Sequence, residues 1–460
     1  MSGLSASDSP YFPAMQKIFI FSLGCPRNLV DSQVLSGALF EAGFSLTDNA
    51  EEADVAVINT CGFIEEAKNE SIDHILSLAE MKKEGRLKKL LVMGCLSQRY
   101  PSELCSEISG IDAVLGSSDF MEIPAMIRGM LSGEGSECIR KVSAMPSYLY
   151  DHRSPRLLGQ PLHSVYVKVQ EGCSNVCSYC VIPKLKGPRR SREISSVVEE
   201  VRGLREQYNV KEIVLIGQDT TSYGLDTDGI PQLAGLLEHV SEVMENGWVR
   251  LLYTHPAHFT DELIDVIASR DNICGYVDIP VQHASDDILR KMNRRVSRKE
   301  MTELIGRIRR EIEGVALRTS VIVGFPGETP ARFTELMDFL EEIRFDRLGA
   351  FMYSKEEGTP AAAFSGHVPE KVKRQRFNDV MELQKNISAE NNQSLLGRTL
   401  KVLIDEVDVS LPGVSVGRSE MDAPEVDGVV YVRGGSLSVG EFVDVKVTGA
   451  MEYDLEGDLL

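Results

Sequence analysis

Six of the nine cysteines in this 460-residue chain fall into two sets of three that could do chemistry. The first is local: "EGCSNVCSYC", residues 171 to 180, places Cys173, Cys177 and Cys180 at C-x3-C-x2-C spacing. Thiolates are the usual protein ligands of iron–sulfur clusters, and three of them leave one iron of a 4Fe-4S cluster open to another molecule. A zinc site completed by a distant histidine such as His163, or three plain core cysteines, are the readings that spacing alone leaves open. The second set is dispersed: Cys25 in "SLGCPRN", Cys61 in "NTCGF" and Cys95 in "MGCLSQ". Taken singly, each would pass for a small buried hydrophobe. Each, however, follows a strand-like apolar run and has a glycine beside it, Gly24, Gly62 or Gly94, that permits close backbone approach. Read together they make a second three-thiolate site. Cys105, Cys138 and Cys274 share neither setting and are expected to be structural. An odd number of cysteines in a long chain without a signal-peptide pattern argues against a disulfide framework.

The elements that must position these thiols show in the apolar periodicity. Up to about residue 150, "KIFIFS", "ADVAVIN", "KKLLVMG" and "IDAVLGS" alternate with helical patterns, which predicts a doubly wound parallel sheet. In such a sheet the carboxyl ends of the strands share one edge, so cysteines 36 and 34 positions apart can converge there. A second series, "SVYVKVQ", "KEIVLIG", "VRLLYT", "GYVDIPV", "VALRTSVIVG" and "LGAFMYS", predicts six βα units and hence a partial (β/α) barrel, with Cys173 just past its first strand. The runs "TLKVLIDE", "GVSVGR", "GVVYVRG" and "EFVDVKVTGA" predict a small all-β, OB-like unit at the end. The expected organisation is therefore α/β multidomain: residues 1–150, a turn-rich linker at 147–161, a barrel over 160–390 and a β-barrel domain over 393–460.

Composition narrows the function. With 43% apolar residues the chain can bury several cores, and its formal charge of −20 disfavours nucleic-acid phosphate as main partner. From residue 397 onward five basic residues face thirteen acidic ones, a net −8, which would repel phosphate and attract a basic protein. The start, "MSGLSASDSPYFPAMQ", has no basic n-region or apolar run, and no stretch of about 18 uncharged apolar residues occurs, so a soluble cytoplasmic protein without membrane contact is expected. No G-x-x-x-x-G-K-[ST] phosphate cradle is present, which argues against ATP chemistry.

The C-x3-C-x2-C loop with an aromatic, Tyr179, before its third cysteine resembles the radical S-adenosylmethionine superfamily, and the paired triads resemble its methylthiotransferase branch. The resemblance runs through "SLGCPRNLVDSQ", "INTCGFIEEAKNESI", "GCSNVCSYCVIPKLKGPRRSR", "IGQDTTSYG", "DIPVQHASDDILRKMNR", "IVGFPGETPARF" and "YSKEEGTPAA". "GCPRN" and the terminal "EYDLEG" resemble members that modify a ribosomal protein; tRNA-modifying members usually carry a "GCQMN"-like loop. Gln33 and Lys186 depart from the pattern, standing where Glu and Arg are expected. The final β unit resembles a TRAM domain.

The resemblance implies two 4Fe-4S clusters and S-adenosylmethionine, with all six cysteines as metal-binding and catalytic residues. It implies insertion of sulfur and a methyl group at the β-carbon of an aspartate of a small-subunit ribosomal protein, protein twelve of the decoding centre, by way of a 5′-deoxyadenosyl radical. A tRNA adenosine methylthiotransferase is the alternative. The implied partners are the basic ribosomal protein, free or within the ribosomal subunit, and an electron donor, with tRNA disfavoured. Cofactor contacts are expected from Tyr179, from Gln218 and Asp219 at the end of the second barrel strand, and from Gly324, whose missing side chain could admit the adenine. His283 and His255 sit at predicted strand ends facing the same mouth, although lone histidines are more often structural. The basic run Lys184, Lys186, Arg189, Arg190 and Arg192 reads as a solvated face or a carboxylate-binding group.

Overall fold

The computed structural model describes residues 15–133, 137–160, 162–407 and 413–460. The chain divides into two compact units: one runs to Gly159 and takes in Lys184–Gly187, and the other holds Gln160–Pro183 and Pro188–Leu460.

In the first unit β1 (Lys17–Ser22), β2 (Ser45–Thr47), β3 (Val55–Thr60), β4 (Lys89–Gly94), β5 (Ala113–Leu115) and β6 (Ile139–Lys141) form one parallel sheet in the order β2-β1-β3-β4-β5-β6. β3 is buried along its whole length, so its run of apolar residues is continuous, as befits a strand covered on both faces. The chain steps from β1 outward to β2 and returns on the far side to β3. That reversal opens a crevice at the carboxyl ends of β1 and β3. β2 and β6 went unread in the sequence because each has only three residues and β6 is wholly exposed, leaving no burial pattern.

The expectation of no disulfide is corrected at one place. Cys105, on the helix Pro101–Glu107, is bonded to Cys138, just before β6, with Cα atoms 5.7 Å apart. Proximity of an α-helix and an edge strand 33 residues apart is invisible to spacing rules.

In the second unit β7 (Ser164–Lys168) leads into a two-residue ladder of β8 (Gln170–Glu171) with β9 (Arg190–Ser191). β10 (Glu212–Ile216), β11 (Trp248–Leu251), β12 (Tyr276–Asp278), β13 (Ala316–Val323) and β14 (Arg347–Met352) follow, each preceded by helix. The pairings β7-β10-β11 and β12-β13-β14 are all parallel, and a parallel bridge from Val249 to Ile273 joins the two sheets. These are the six predicted βα units. Along them Val165, Val167, Ile213, Leu215, Val249, Val277, Leu317, Val321 and Val323 are buried apolar residues, while the alternate face carries the polar ones.

β15 (Thr399–Val407), β16 (Val414–Ser419), β17 (Val430–Arg433), β18 (Phe442–Ala450) and β19 (Leu455–Leu459) close into a barrel around Val402, Ile404, Val430, Val432, Val445 and Val447. β19 was missed, since "LEGDL" carries two acidic residues in five. No helix among the described residues is long and apolar enough to cross a membrane.

Candidate metal centres

The register of the first sheet brings the dispersed cysteines together. Thr60 of β3 pairs with Gly94 of β4, so Cys61 and Cys95, each one residue further on, leave the sheet side by side. Ser22 of β1 pairs with Asn59, which puts Cys25 on the same edge across the crevice. A Cβ on Gly24 would lie 2.9 Å from Cys61 Cβ and 3.1 Å from its Sγ. A Cβ on Gly62 would lie 2.8 Å from the Leu96 nitrogen and Cα and 2.9 Å from the Cys95 carbonyl carbon. Gly94, at φ +105°, would strike Asn59 Oδ1 and the Thr60 carbonyl. The three glycines are therefore the reason the three thiol-bearing loops can touch.

Asn28 holds the crevice closed, its Nδ2 donating to the Leu23 and Thr60 carbonyls at 3.0 and 3.1 Å, while Asn59 Nδ2 donates to the Asn28 carbonyl at 2.8 Å. Both asparagine Oδ1 atoms are buried without a hydrogen-bond partner. Cys25 caps the helix Pro26–Glu41, and although burial opposes ionisation, Arg27, the Asn28 amide and Lys186 bring its thiol below the ordinary range. Burial pushes the Cys61 thiol up.

In the second unit the β8/β9 ladder closes a loop, residues 172–189, at the carboxyl end of β7, and all three cysteines of C-x3-C-x2-C lie half-buried in it. The turn between Cys177 and Cys180 is held by the Cys180 amide on the Cys177 carbonyl at 3.1 Å. Ser178 fixes that turn from outside: its amide donates to the Met292 carbonyl, its hydroxyl to the Lys291 carbonyl, and its carbonyl accepts from the Ala361 amide. Tyr179 is half-buried, its ring edge-on to Phe325 at 6.4 Å in an apolar cluster with Ile288, Met292 and Tyr353. Burial raises the Cys173 thiol to about 11, so a metal must displace its proton on binding.

Among the polar groups that seat this loop, sequence reasoning named Gln218 and Asp219 as cofactor contacts but missed Glu171 and Gln170. Glu171, two residues before Cys173, accepts from Lys168 Nζ at 2.6 Å, from the Gly172 amide at 3.2 Å and from Gln218 Nε2. Gln218 Oε1 is buried without a partner, as is Gln170 Oε1, whose Nε2 donates to the Asp219 carbonyl. Asp219 is nearly wholly buried, and its carboxylate accepts from Asn175 Nδ2 of the loop at 2.6 Å, from Thr221 at 2.7 Å and pairs with His258 Nδ1 at 2.8 Å. Burial opposes its ionisation, yet His258, His255 and Thr221 hold it down at about 2. The signal that could have found Glu171 was a charged residue inside an otherwise apolar strand run.

The remaining expected residues fall as follows. Gly324, at φ +76°, lies under the stem of Lys373, and its amide donates to Glu328. His283 is fully buried, with Nδ1 accepting from the Ala284 and Ser285 amides and Nε2 unpartnered; burial and Arg376 lower it to about 3, so it is neutral. His255 is likewise lowered to about 3 by burial and Arg294 and stacks on His258. The basic run is a solvated face only at Lys184, which is exposed. Lys186 is buried against Asp31 at 3.0 Å, Arg192 against Glu200 at 2.5 Å, and Arg189 reaches Asp226 at 3.4 Å. His163, the imagined zinc ligand, is engaged by Asp405 at 2.7 Å. Among the described residues no three His, Cys, Asp or Glu side chains, those of the two cysteine triads included, stand close enough together to hold a single metal ion.

The family comparisons follow the same division. Residues 17–116 match the uncharacterized protein family UPF0004, residues 167–340 the Radical SAM superfamily and residues 396–460 the TRAM domain. A protein of Desulforamulus reducens named ribosomal protein uS12 methylthiotransferase RimO is 48% identical over 97% of this chain and 100% of its own length. The protein of that name from Clostridioides difficile is 47% identical over 97% of this chain and 99% of its own. Among solved structures the radical S-adenosylmethionine methyltransferase TsrM of Kitasatospora setae, with a tryptophan substrate and a cofactor analogue bound, aligns at TM-score 0.56 and 14% identity over 85% of this chain and 79% of its own, a likeness of fold. With near-complete coverage at this identity, the chain is a radical S-adenosylmethionine enzyme and belongs to the RimO family of ribosomal protein uS12 methylthiotransferases.

Proposed function

We propose that this chain inserts sulfur and a methyl group at the β-carbon of an aspartate of ribosomal protein uS12, using one 4Fe-4S cluster on Cys173, Cys177 and Cys180 and a second on Cys25, Cys61 and Cys95. The observation that carries the two-cluster reading is the in-register exit of Cys61 and Cys95 from paired strands, with Gly24 packed on the Cys61 side chain. Three thiols at each place suit a cluster with one open iron.

When bound, the clusters and S-adenosylmethionine supply the electron, the 5′-deoxyadenosyl radical and the sulfur and methyl groups of the product. The chain's own work is to hold and orient. Glu171 and Asp219 hold the amino-terminal side of the 172–189 loop through Gln218 and Asn175, so the thiols there are positioned by charge-assisted bonds inside the protein. The unpartnered Gln170 and Gln218 oxygens at the same strand ends are acceptors suited to the ammonium of the methionyl group. Neutral His255 and His283 add no positive charge of their own at pH 7. The relatives' printed substrate supports uS12 as the partner, and that reading carries with it work beside ribosomes in the cytoplasm and a supply of electrons from a donor.

The test is anaerobic reconstitution of the parent and six single Cys→Ala proteins, with iron counted per chain and uS12 analysed by mass spectrometry. Loss of S-adenosylmethionine cleavage only in the Cys173, Cys177 and Cys180 variants, with methylthiolation lost in all six, supports the reading. Product on tRNA and none on uS12 would install the alternative.

A further inference from the structure

Part of the acidic C-terminal domain's charge is not a free surface, although Glu406, Glu441, Asp444 and Asp458 are exposed. One polar side chain from each of the six barrel strands meets the domain at or beside the loop 420–429 between β16 and β17, and three of them, Glu212, Tyr276 and Arg347, are the first residues of their strands. From β7, Tyr166 donates to the Pro424 carbonyl at 3.5 Å. Glu212 of β10 is fully buried between Arg250 of β11 at 2.7 Å and Arg418 at 2.8 Å, and Arg250 also donates to the Glu420 carbonyl at 2.8 Å. On β12, Tyr276 donates to Asp427 at 2.7 Å; on β13, Arg318 reaches the same carboxylate at 3.3 Å; on β14, Arg347 donates through two nitrogens to buried Asp422. The strand registers place Tyr166 and Arg250 opposite Val214, Asp278 opposite Arg318 and Arg318 opposite Arg347, all on the face away from the apolar helix-packing one. His163 with Asp405 and Trp248 edge-on to Phe442 at 4.9 Å complete the rim.

We propose that the loop 420–429 is the floor of the barrel: it stoppers the amino-terminal mouth, locks the six strands at that end, and leaves the opposite mouth, where the cysteine loop lies, as the one route for a substrate. Asp405, Asp422 and Asp427 are thereby engaged inside the chain, so three of the thirteen acidic residues counted in the domain's charge are not free to meet a partner. Asp408, also counted in that charge, lies outside the described residues. Buried, neutralised pairs are little screened by salt, so the floor holds at high ionic strength, unlike a contact of exposed charges. Keeping water out of the chamber from below rests on the functional reading above; the closure itself does not.

The chain carries its own reporter. Cys274, 2% exposed, precedes Gly275, whose amide donates to Glu420 at 3.3 Å, and it lies beside Arg250, Glu212 and Arg418. The experiment measures the alkylation rate of Cys274 by peptide mapping in the full-length, cluster-free protein. The set is the parent, Arg347→Asp, Asp422→Arg and the double swap, at 0.1 and 1 M salt. The expected result is a protected parent at both salts, labelling faster by about 100-fold in each single variant because a lone buried charge opens the floor, and protection regained in the double swap. Equal rates in parent and single variants, no recovery in the swap, or protection lost at 1 M salt in the parent would each overturn the proposal. Cluster loading and methylthiolation do not enter the readout, so its failure is distinct from failure of the function.

Discussion

Replacing Gly62 with alanine is expected to dismantle the Cys25, Cys61, Cys95 centre without altering a thiol. The added Cβ would sit 2.8 Å from backbone atoms of Leu96 and 2.9 Å from the Cys95 carbonyl carbon, whereas ordinary contact begins at 3.4 Å, so the two loops must part by about 0.6 Å. The neighbour is backbone at the first turn of a helix that follows directly from β4, so it cannot rotate away as a side chain would. A metal site tolerates ligand shifts of about 0.2 Å, a third of that displacement. The stability cost of such overpacking is about 1–3 kcal/mol, larger than the gain of at most about 1 kcal/mol from a stiffer unfolded chain. The assay is iron and sulfide per chain after anaerobic reconstitution, beside thermal melting. Gly159→Ala, in the same unit with nothing within 4 Å of the added carbon, is the control. The expected outcome is loss of about one of two clusters' iron in Gly62→Ala, with S-adenosylmethionine cleavage kept. Full iron content in that variant would refute the argument that the glycines set the distance between the cysteines.

Three further outcomes follow from buried or paired groups. Glu212 is held at about 2 although burial opposes its ionisation, because Arg418 and Arg250 flank it. Its contribution of about 3 kcal/mol is therefore full above pH 5 and lost between about pH 4.5 and 2. Glu212→Gln should flatten the acid limb of a melting-temperature-against-pH curve, and parallel curves would refute this. Arg156 donates through two nitrogens to Gln33 Oε1, at 3.1 and 2.6 Å, so Gln33→Glu should raise stability by up to about 1 kcal/mol in denaturant titration, and a fall would show that desolvation wins. The Cys105–Cys138 bond closes 33 residues of chain, worth about 4 kcal/mol by loop entropy, so Cys138→Ser should lower the non-reducing melting temperature and abolish its response to a reductant.

The sequence by itself determined the layers and the candidate thiols. Continuous apolar runs such as "VAVINT" and "EIVLI" had to be strands covered on both faces, and their alternation with helical stretches had to give parallel sheets. It also marked Gly24, Gly62 and Gly94 as places of close approach, since a glycine beside a functional residue is legible without coordinates. What it could not carry was partnership between distant residues. Whether an aspartate faces solvent or an arginine 75 positions away is decided by the sheet register and domain docking, as Asp422 and Arg347 show. The same holds for Cys105 with Cys138, for Lys186 with Asp31 and for the seating of the cysteine loop by Glu171 and Asp219. Charge counted along a chain adds signs without positions. Only the tertiary structure decides which of those charges are cancelled inside the protein and which remain to act on a partner.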